Sequence, residues 1–225
     1  RENLLWGAPR IHGELHKLGF DLAQSTVSNY LHRHPRPRGQ TWKTFIANHK
    51  DAMAAIDLFV VPTVGFKMLF GIAVLHMKRR ELIWTNATLH PTAEWIAQQI
   101  IEAFPWDEAP QYLVRDNDRA YGNAFAHRMR SMGIRDHPIT PRSPWQNGYV
   151  ERLIGSVRRE CLDHVVAFGE RHLRSLLGSY ADYYNRIRPH MAVAKDAPVH
   201  RTALITGSIV AKAVLGGLHH HYMRV

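Results

Sequence analysis

Apolar residues alternate with polar ones in some segments of the chain and recur at helical spacing in others. Strand-like runs cover residues 53–61, 67–75, 81–88, 112–116 and 134–139. Helical spacing predicts helices over about 92–104, 121–132, 147–166 and 171–184. The order is three strands in a meander, then helix, strand, helix, strand and helix. It predicts an α/β domain with one sheet flanked by helices.

The first forty residues have a different pattern, with two short helices around a turn. Ile11, Leu15 and Leu18 share one helix face, and Gly19 interrupts the pattern before a second helix that ends near Leu31. This arrangement is typical of a helix-turn-helix, whose second helix enters the major groove of DNA. The alternative is an ordinary helical hairpin. A helix starting at Trp42 then leads into the sheet.

Three regions follow from these patterns. Residues 1–38 form a partial helix-turn-helix segment with a basic linker, in which prolines keep three arginines extended for phosphate contacts: Arg33, Arg36 and Arg38. Residues 39–200 form the main domain and residues 201–225 a C-terminal tail. The first residue is arginine, which is typical of a fragment or a processed chain.

The amino-acid composition is strongly basic, which indicates a negatively charged binding partner. Lysine and arginine outnumber aspartate and glutamate by 29 to 19, which gives a net charge of +10 and favours a polyanion such as nucleic acid. No apolar run reaches the roughly 18 residues of a membrane span, and no signal peptide opens the chain. The single cysteine, Cys161, excludes an internal disulfide and fits a reducing compartment such as the bacterial cytoplasm.

Three acidic residues stand out from this basic background. Asp57 lies inside the most apolar strand, Asp116 ends the fourth strand, and Glu151 lies just inside the long helix; residues 117–150 separate the last two. A carboxylate in a buried strand is costly unless it is paired or binds a metal. Three carboxylates brought together make the oxygen-rich site that Mg²⁺ prefers.

These residues resemble the catalytic core of retroviral-type integrases and insertion-sequence transposases, the DDE family with a ribonuclease-H-like fold. The three acids fall on that family's triad, and the most specific motif is Ser-Pro-x-x-Asn-Gly-x-x-Glu-Arg at residues 143–152. The resemblance runs from about Trp42 to Arg201 and includes Tyr-Asn-x-x-Arg-Pro-His at residues 184–190 and Asp-Ala-Pro at 196–198. It implies a mixed five-stranded sheet and a helix-turn-helix remnant before it.

The resemblance also implies the chemistry. Two Mg²⁺ or Mn²⁺ ions would be held by Asp57, Asp116 and Glu151, with Asp57 bridging both. Water would cut the ends of a mobile element, and the freed 3′-hydroxyl would join target DNA. The expected partners are double-stranded DNA and further copies of the chain, with no membrane.

Other residues of the long helix are candidates for DNA contact. Gly155 and Arg158 share the face of Glu151, and Arg152 and Arg159 flank it. Gly155 would leave room for a DNA backbone, and the arginines would bind phosphates or simply face solvent. Asn147 would bind DNA, orient the acid or cap the helix.

Several candidates carry less weight. Asp118 is a turn or cap acid rather than a ligand, and the pair His12 and His16 lacks cysteine partners for zinc. Cys161 is expected as a core residue on the long helix, and the His-rich segment 219–221 as an adventitious nickel ligand.

Two rival functions remain. A tyrosine recombinase would use Arg186, His190 and Tyr222, but it leaves the three acids unexplained. A catalytically inactive or truncated relic would bind DNA without cutting it.

Overall fold

The computed structural model describes residues 6–31, 40–105 and 108–225 and has two units, residues 1–41 and 42–225. In the first unit, helices α1 (Ala8–Lys17) and α2 (Gln24–Leu31) pack against each other. Gly19 ends the first helix in a left-handed conformation, with φ of 87°. The predicted pair of helices around a glycine turn is therefore confirmed. Arg33, Arg36 and Arg38 lie outside the described residues, so the basic linker stays a prediction.

The second unit is built on a five-stranded sheet in the order β3-β2-β1-β4-β5. The strands are β1 (Met53–Pro62), β2 (Met68–His76), β3 (Glu81–Thr88), β4 (Tyr112–Arg115) and β5 (Arg135–Pro138). The first three are antiparallel, and β4 and β5 run parallel to β1, so the sheet is mixed as predicted.

Helices cover both faces of this sheet. The unit contains α3 (Trp42–His49), α4 (Ala93–Ala103), α5 (Asn123–Ser131), α6 (Gly148–Glu160) and α7 (Glu170–Arg186). On β1, Ala54 and Ile56 face the core shared with α4 and α5, whereas Ala55 and Phe59 face the core shared with α6 and α7. Odd-numbered positions of β1 therefore lie under α6.

One prediction about the C-terminal half needs correction. The long helix α6 ends at Glu160, not near 166, because Cys161 leaves the helical region and a 3₁₀ turn follows at Leu162–His164. Cys161 is buried, as expected, but it caps α6 instead of lying within it. Within the predicted C-terminal tail, β6 (Ile209–Val214) and β7 (His219–Arg224) form an antiparallel hairpin, with Gly216 and Gly217 at positive φ in the turn.

The motif at residues 184–190 ties the end of α6 and the edge of the sheet to the rest of the domain. Arg188 binds both carboxylate oxygens of Glu160, at 2.8 and 2.7 Å. Burial alone would raise the pKa of Glu160, but the hydrogen bonds and charge of Arg188 lower it overall. Asn185 exchanges two hydrogen bonds with the backbone of Leu82, at 2.9 and 2.8 Å, and so pairs part of the exposed edge of β3.

Gly71 gives a direct test of the packing between β1 and β2. It faces Phe59 in the register, and a methyl group at this position would overlap the phenyl ring. We expect Gly71→Ala to lower the free energy of unfolding by about 1–3 kcal/mol, as overpacked cores do. Gly178→Ala is the matched control, because a methyl group there meets no atom within 4 Å. The control should be neutral or stabilising in urea denaturation, and equal behaviour of the two variants would contradict this packing.

Candidate active site

Strand pairing brings Asp57 and Asp116 side by side. β1 and β4 are parallel, and Ala55 pairs with Val114. Each acid lies two residues beyond its member of this pair. Asp57 lies on the face of Ala55, under α6, and Asp116, the first residue after β4, is close enough for its charge to raise the pKa of Asp57.

Asp57 is half-buried among like charges. Its Oδ1 accepts a hydrogen bond of 2.8 Å from the backbone N–H of Leu58. Burial, followed by the charge of Asp116, raises the pKa of Asp57 from its ordinary 3.8 to about 7, and the charges of Glu151 and Asp118 add to this. The hydrogen bond from Leu58 opposes the rise without cancelling it. These neighbours make the ionised form of Asp57 costly unless positive charge lies close to it.

Asp116 is half-buried, and the backbone N–H of Asp118 and the nearby Tyr121 hydroxyl partly offset the effect of burial on its pKa. Its Oδ1 is buried without a hydrogen-bond partner in the structure. Burial is the main cause that raises the pKa of Asp116, and the charge of Asp118 contributes. A buried carboxylate oxygen without a donor is the type of atom that a divalent cation satisfies.

Arg115 holds the backbone beside Asp116, a role that the sequence did not reveal. Its guanidinium forms two hydrogen bonds of 2.8 Å with Asp136 on β5 and one of 2.9 Å with the carbonyl of Asp116. It also lies over the ring of Tyr121, 4.8 Å from the centroid. The buried Tyr121 hydroxyl has no hydrogen-bond partner, and burial together with the charges of Asp116 and Asp57 raises its pKa. Only the strand register shows that Arg115 can reach Asp136.

Asn147 connects the start of α6 to β1. The side chain is buried, and Nδ2 donates a 3.1 Å hydrogen bond to the carbonyl of Ile56, next to Asp57. It makes no side-chain cap of α6. Of the three roles expected for Asn147, the helix cap is not formed, and a direct DNA contact fits a buried side chain poorly; its hydrogen bond instead holds the start of α6 to β1. Glu151 follows one turn later and is exposed.

The three acids do not form a closed metal cage. Among the residues that the structure describes, no group of three or more His, Cys, Asp or Glu side chains is close enough to hold a metal ion. The pairing of β1 with β4 brings Asp57 and Asp116 close together. The negative charge of Glu151 also acts on Asp57, because it contributes to the raised pKa of that residue. The donor set fits a hard cation such as Mg²⁺, because it consists of carboxylates and includes a buried oxygen without a donor.

The predicted DNA-contacting residues have different environments. Arg158 donates to the backbone carbonyl of Val60 at 3.1 Å, so part of its hydrogen-bonding capacity is used within the fold. Arg152 and Arg159 are exposed. Gly155 faces the Arg159 guanidinium. A methyl group added at Gly155 would lie 3.1 Å from a guanidinium nitrogen of Arg159. Of the predicted DNA-contacting arginines on α6, Arg152 and Arg159 are therefore the two that are exposed.

The weaker candidates have structural roles. Asp118 caps the 3₁₀ turn after β4 by accepting from Ala120 N–H at 2.8 Å, which confirms the expected cap. His12 binds the carbonyl of Leu22 at 2.7 Å. Of the recombinase candidates, His190 is buried and binds the carbonyl of Tyr184. Within the described ranges, no helix combines the length and apolar character that a membrane crossing requires.

Residues 132–198 match the family model of the integrase core domain. The chain is 30% identical over 169 residues to the insertion element IS476 uncharacterized 39.2 kDa protein of Xanthomonas euvesicatoria, covering 75% of this chain and 49% of that protein. It is 30% identical over 93 residues to the insertion element IS407 uncharacterized 31.7 kDa protein of Burkholderia multivorans, covering 41% and 30%. The chain thus spans half or less of the length of these curated relatives.

Solved structures share the fold at low sequence identity. A chain of the simian T-cell lymphotropic virus intasome in complex with PP2A regulatory subunit B56 gamma has a TM-score of 0.54 at 14% identity, covering 96% of this chain and 86% of that one. The HTLV-2 integrase catalytic core domain in complex with magnesium has a TM-score of 0.52 at 11% identity, covering 67% and 94%. Together, these matches show that residues 132–198 match the integrase core domain and that the five-stranded unit has the ribonuclease-H-like fold of integrase catalytic cores.

Proposed function

We propose that the chain cuts DNA at the ends of a mobile element and joins the freed 3′-hydroxyls to target DNA. The observation that carries this proposal is the pair of acids in β1 and directly after β4. Asp57 has a pKa raised to about 7, and Asp116 has a buried oxygen without a donor. Such a pair is unfavourable by itself and is balanced by bound cations. Glu151 completes the set from α6.

Bound Mg²⁺ or Mn²⁺, two ions by analogy with other phosphoryl-transfer sites, would activate the attacking oxygen and neutralise the leaving one. Asp57 would bind both ions, because the charges of Asp116 and Glu151 both act on it. Asp116 and Glu151 would each bind one ion. In the cut, a water oxygen bonds to phosphorus as the bond from phosphorus to the leaving 3′-oxygen breaks. In joining, that 3′-oxygen bonds to a target phosphorus and displaces the target's own 3′-oxygen.

The expected substrate is double-stranded DNA. Arg152 and Arg159 would hold phosphates beside the acids, and Asn147 would keep α6 and β1 in place. The helices α1 and α2 would add contacts to the duplex, and further copies of the chain would pair two DNA ends. Residues 1–38 would then act as a DNA-binding segment before the catalytic core.

A relic that binds DNA without cutting it is the alternative. The electrostatic strain between Asp57 and Asp116 favours catalysis, because a protein that only binds DNA gains nothing from buried, mutually repelling acids. A strand-transfer assay with a library of terminal inverted repeats and Mg²⁺ or Mn²⁺ separates the two. Joined products support the enzyme, whereas binding without products in either metal supports the relic.

Removing single ligand charges should separate catalysis from binding. We expect Asp57→Asn, Asp116→Asn and Glu151→Gln each to abolish cleavage and joining, because each loses a charge that holds metal. DNA affinity should change little, since the exposed arginines remain. Asp118→Asn is the matched control, because its carboxylate caps a turn. Products formed at normal rates by Asp116→Asn would contradict the proposed role.

The raised pKa of Asp57 predicts a pH dependence of stability in the metal-free protein. Because folding raises this pKa from 3.8 to about 7, the contribution of Asp57 is most favourable below pH 4 and is lost as the pH rises to about 7. The melting temperature of Asp57→Asn should therefore approach that of the unsubstituted protein near pH 4 and exceed it increasingly up to about pH 7. Asp163→Asn, at an exposed site, is the control. A difference that does not vary with pH would contradict the burial of Asp57 among like charges.

A further inference from the structure

A cluster of large apolar side chains is exposed on two neighbouring loops of the catalytic domain. Phe66 is 92% exposed and Phe168 is 70% exposed, and three aliphatic neighbours are at least half exposed. We call this set the aromatic patch: Val64, Phe66, Met68, Val166 and Phe168. Contiguous exposed apolar surface of this kind marks an interaction site more often than scattered single residues do.

The fold holds the two loops together. Val64 N–H donates to the carbonyl of Ala167 at 2.9 Å, and Thr63 forms a parallel bridge with Ala167. The β1–β2 turn is closed by a 2.8 Å hydrogen bond from Thr63 N–H to the carbonyl of Lys67. On the other loop, the ring of Phe168 lies 5.0 Å from that of His172. Backbone hydrogen bonds thus fix the place from which the patch is presented.

Phe66 has a backbone conformation that its side chain disfavours. Its φ is 58°, in the left-handed region where hairpin loops of three residues usually carry glycine. The only glycine of this loop is the preceding residue, Gly65. A bulky residue with positive φ is an outlier that often marks a functional site. The backbone of Phe66 is therefore strained and its ring is exposed to solvent. Neither feature stabilises the folded protein.

The charges around the patch favour a polyanion. Lys67 lies in the same turn, Arg171 follows Phe168 closely, and Arg158 binds β1 at Val60. The acidic Glu170 is paired with Arg174 at 3.0 Å. A second copy of this chain also carries a net charge of +10, so like charges oppose its docking here. Aromatic side chains in a basic setting are the usual platform for bases of single-stranded nucleic acid.

We propose that the aromatic patch stacks unpaired bases of single-stranded DNA, with Phe66 and Phe168 as the stacking rings. The patch lies beyond Asp57 along β1, and Thr63 is six positions after Asp57, which spans roughly 20 Å at the rise of a strand. The inference rests on the proposed action on DNA, because the ligand of the aromatic patch would be the DNA strand that is unpaired near a cut end.

The test is equilibrium binding of the full chain to a thymidine oligonucleotide and to an abasic oligonucleotide of equal length, without divalent metal. Phe66→Gly should lower the affinity for the thymidine oligomer by about tenfold, the scale of one lost base–aromatic stack. Affinity for the abasic oligomer should not change, because its phosphates are the same. The melting temperature should stay equal or rise, since glycine tolerates a φ of 58°.

Two further variants keep the test decisive. Phe168→Ala should show the same selective loss, and it replaces Phe66→Gly if that variant does not fold. Met191→Ala removes another exposed apolar side chain, 81% exposed, and should bind both oligomers normally.

Three outcomes would overturn the inference: unchanged binding of the thymidine oligomer, equal loss for both oligomers, or a change of oligomeric state in sedimentation with intact DNA binding. The last would make the patch a contact between copies. If the proposed catalytic function is wrong, the unsubstituted protein will form no cleaved or joined DNA with metal. The binding measurement contains no metal, so its result does not depend on that activity.

Discussion

The parallel pairing of β1 with β4 is the constraint on which the candidate site depends. With Ala55 opposite Val114, Asp57 in β1 and Asp116 just after β4 come close enough for their charges to interact. A shift of one residue in either strand would turn one acid to the opposite face, under α4 and α5. The hydrogen bonds between the two strands thus hold these carboxylates close together despite their electrostatic repulsion.

The surrounding structure holds these acids in place despite their repulsion. Arg115 ties the backbone of Asp116 to Asp136 on the next strand. Helix α6, which carries Glu151, is attached at both ends, through Asn147 to β1 and through Glu160 to Arg188. A buried ion pair with good geometry fixes position even where it adds little net stability. The fold therefore fixes the backbone that presents all three acids, and the side chain of Glu151 stays exposed.

Most of the fold could be predicted from the sequence because its strands and helices have clear periodicity. The three acids were recognisable because charge is rare in apolar runs and because their spacing matches a known family. The role of Arg115 was not predictable, since its partner Asp136 is near only through the pairing of β4 with β5. The β6–β7 hairpin was missed because three consecutive histidines obscure the alternation of β7. The conformation of Phe66 was also hidden, because the adjacent Gly65 is the residue that a turn pattern favours.

The central claim is that Asp57, Asp116 and Glu151 bind divalent cations together. Anomalous diffraction from crystals soaked in Mn²⁺ tests it most directly, because it locates the metal without reference to activity. We expect density between the three carboxylates, from two ions about 4 Å apart when DNA is bound. We also expect Oδ1 of Asp116, which has no hydrogen-bond partner in the structure, to be a ligand. Manganese bound only elsewhere, for example at His219–His221, with the three acids free of metal, would contradict the account.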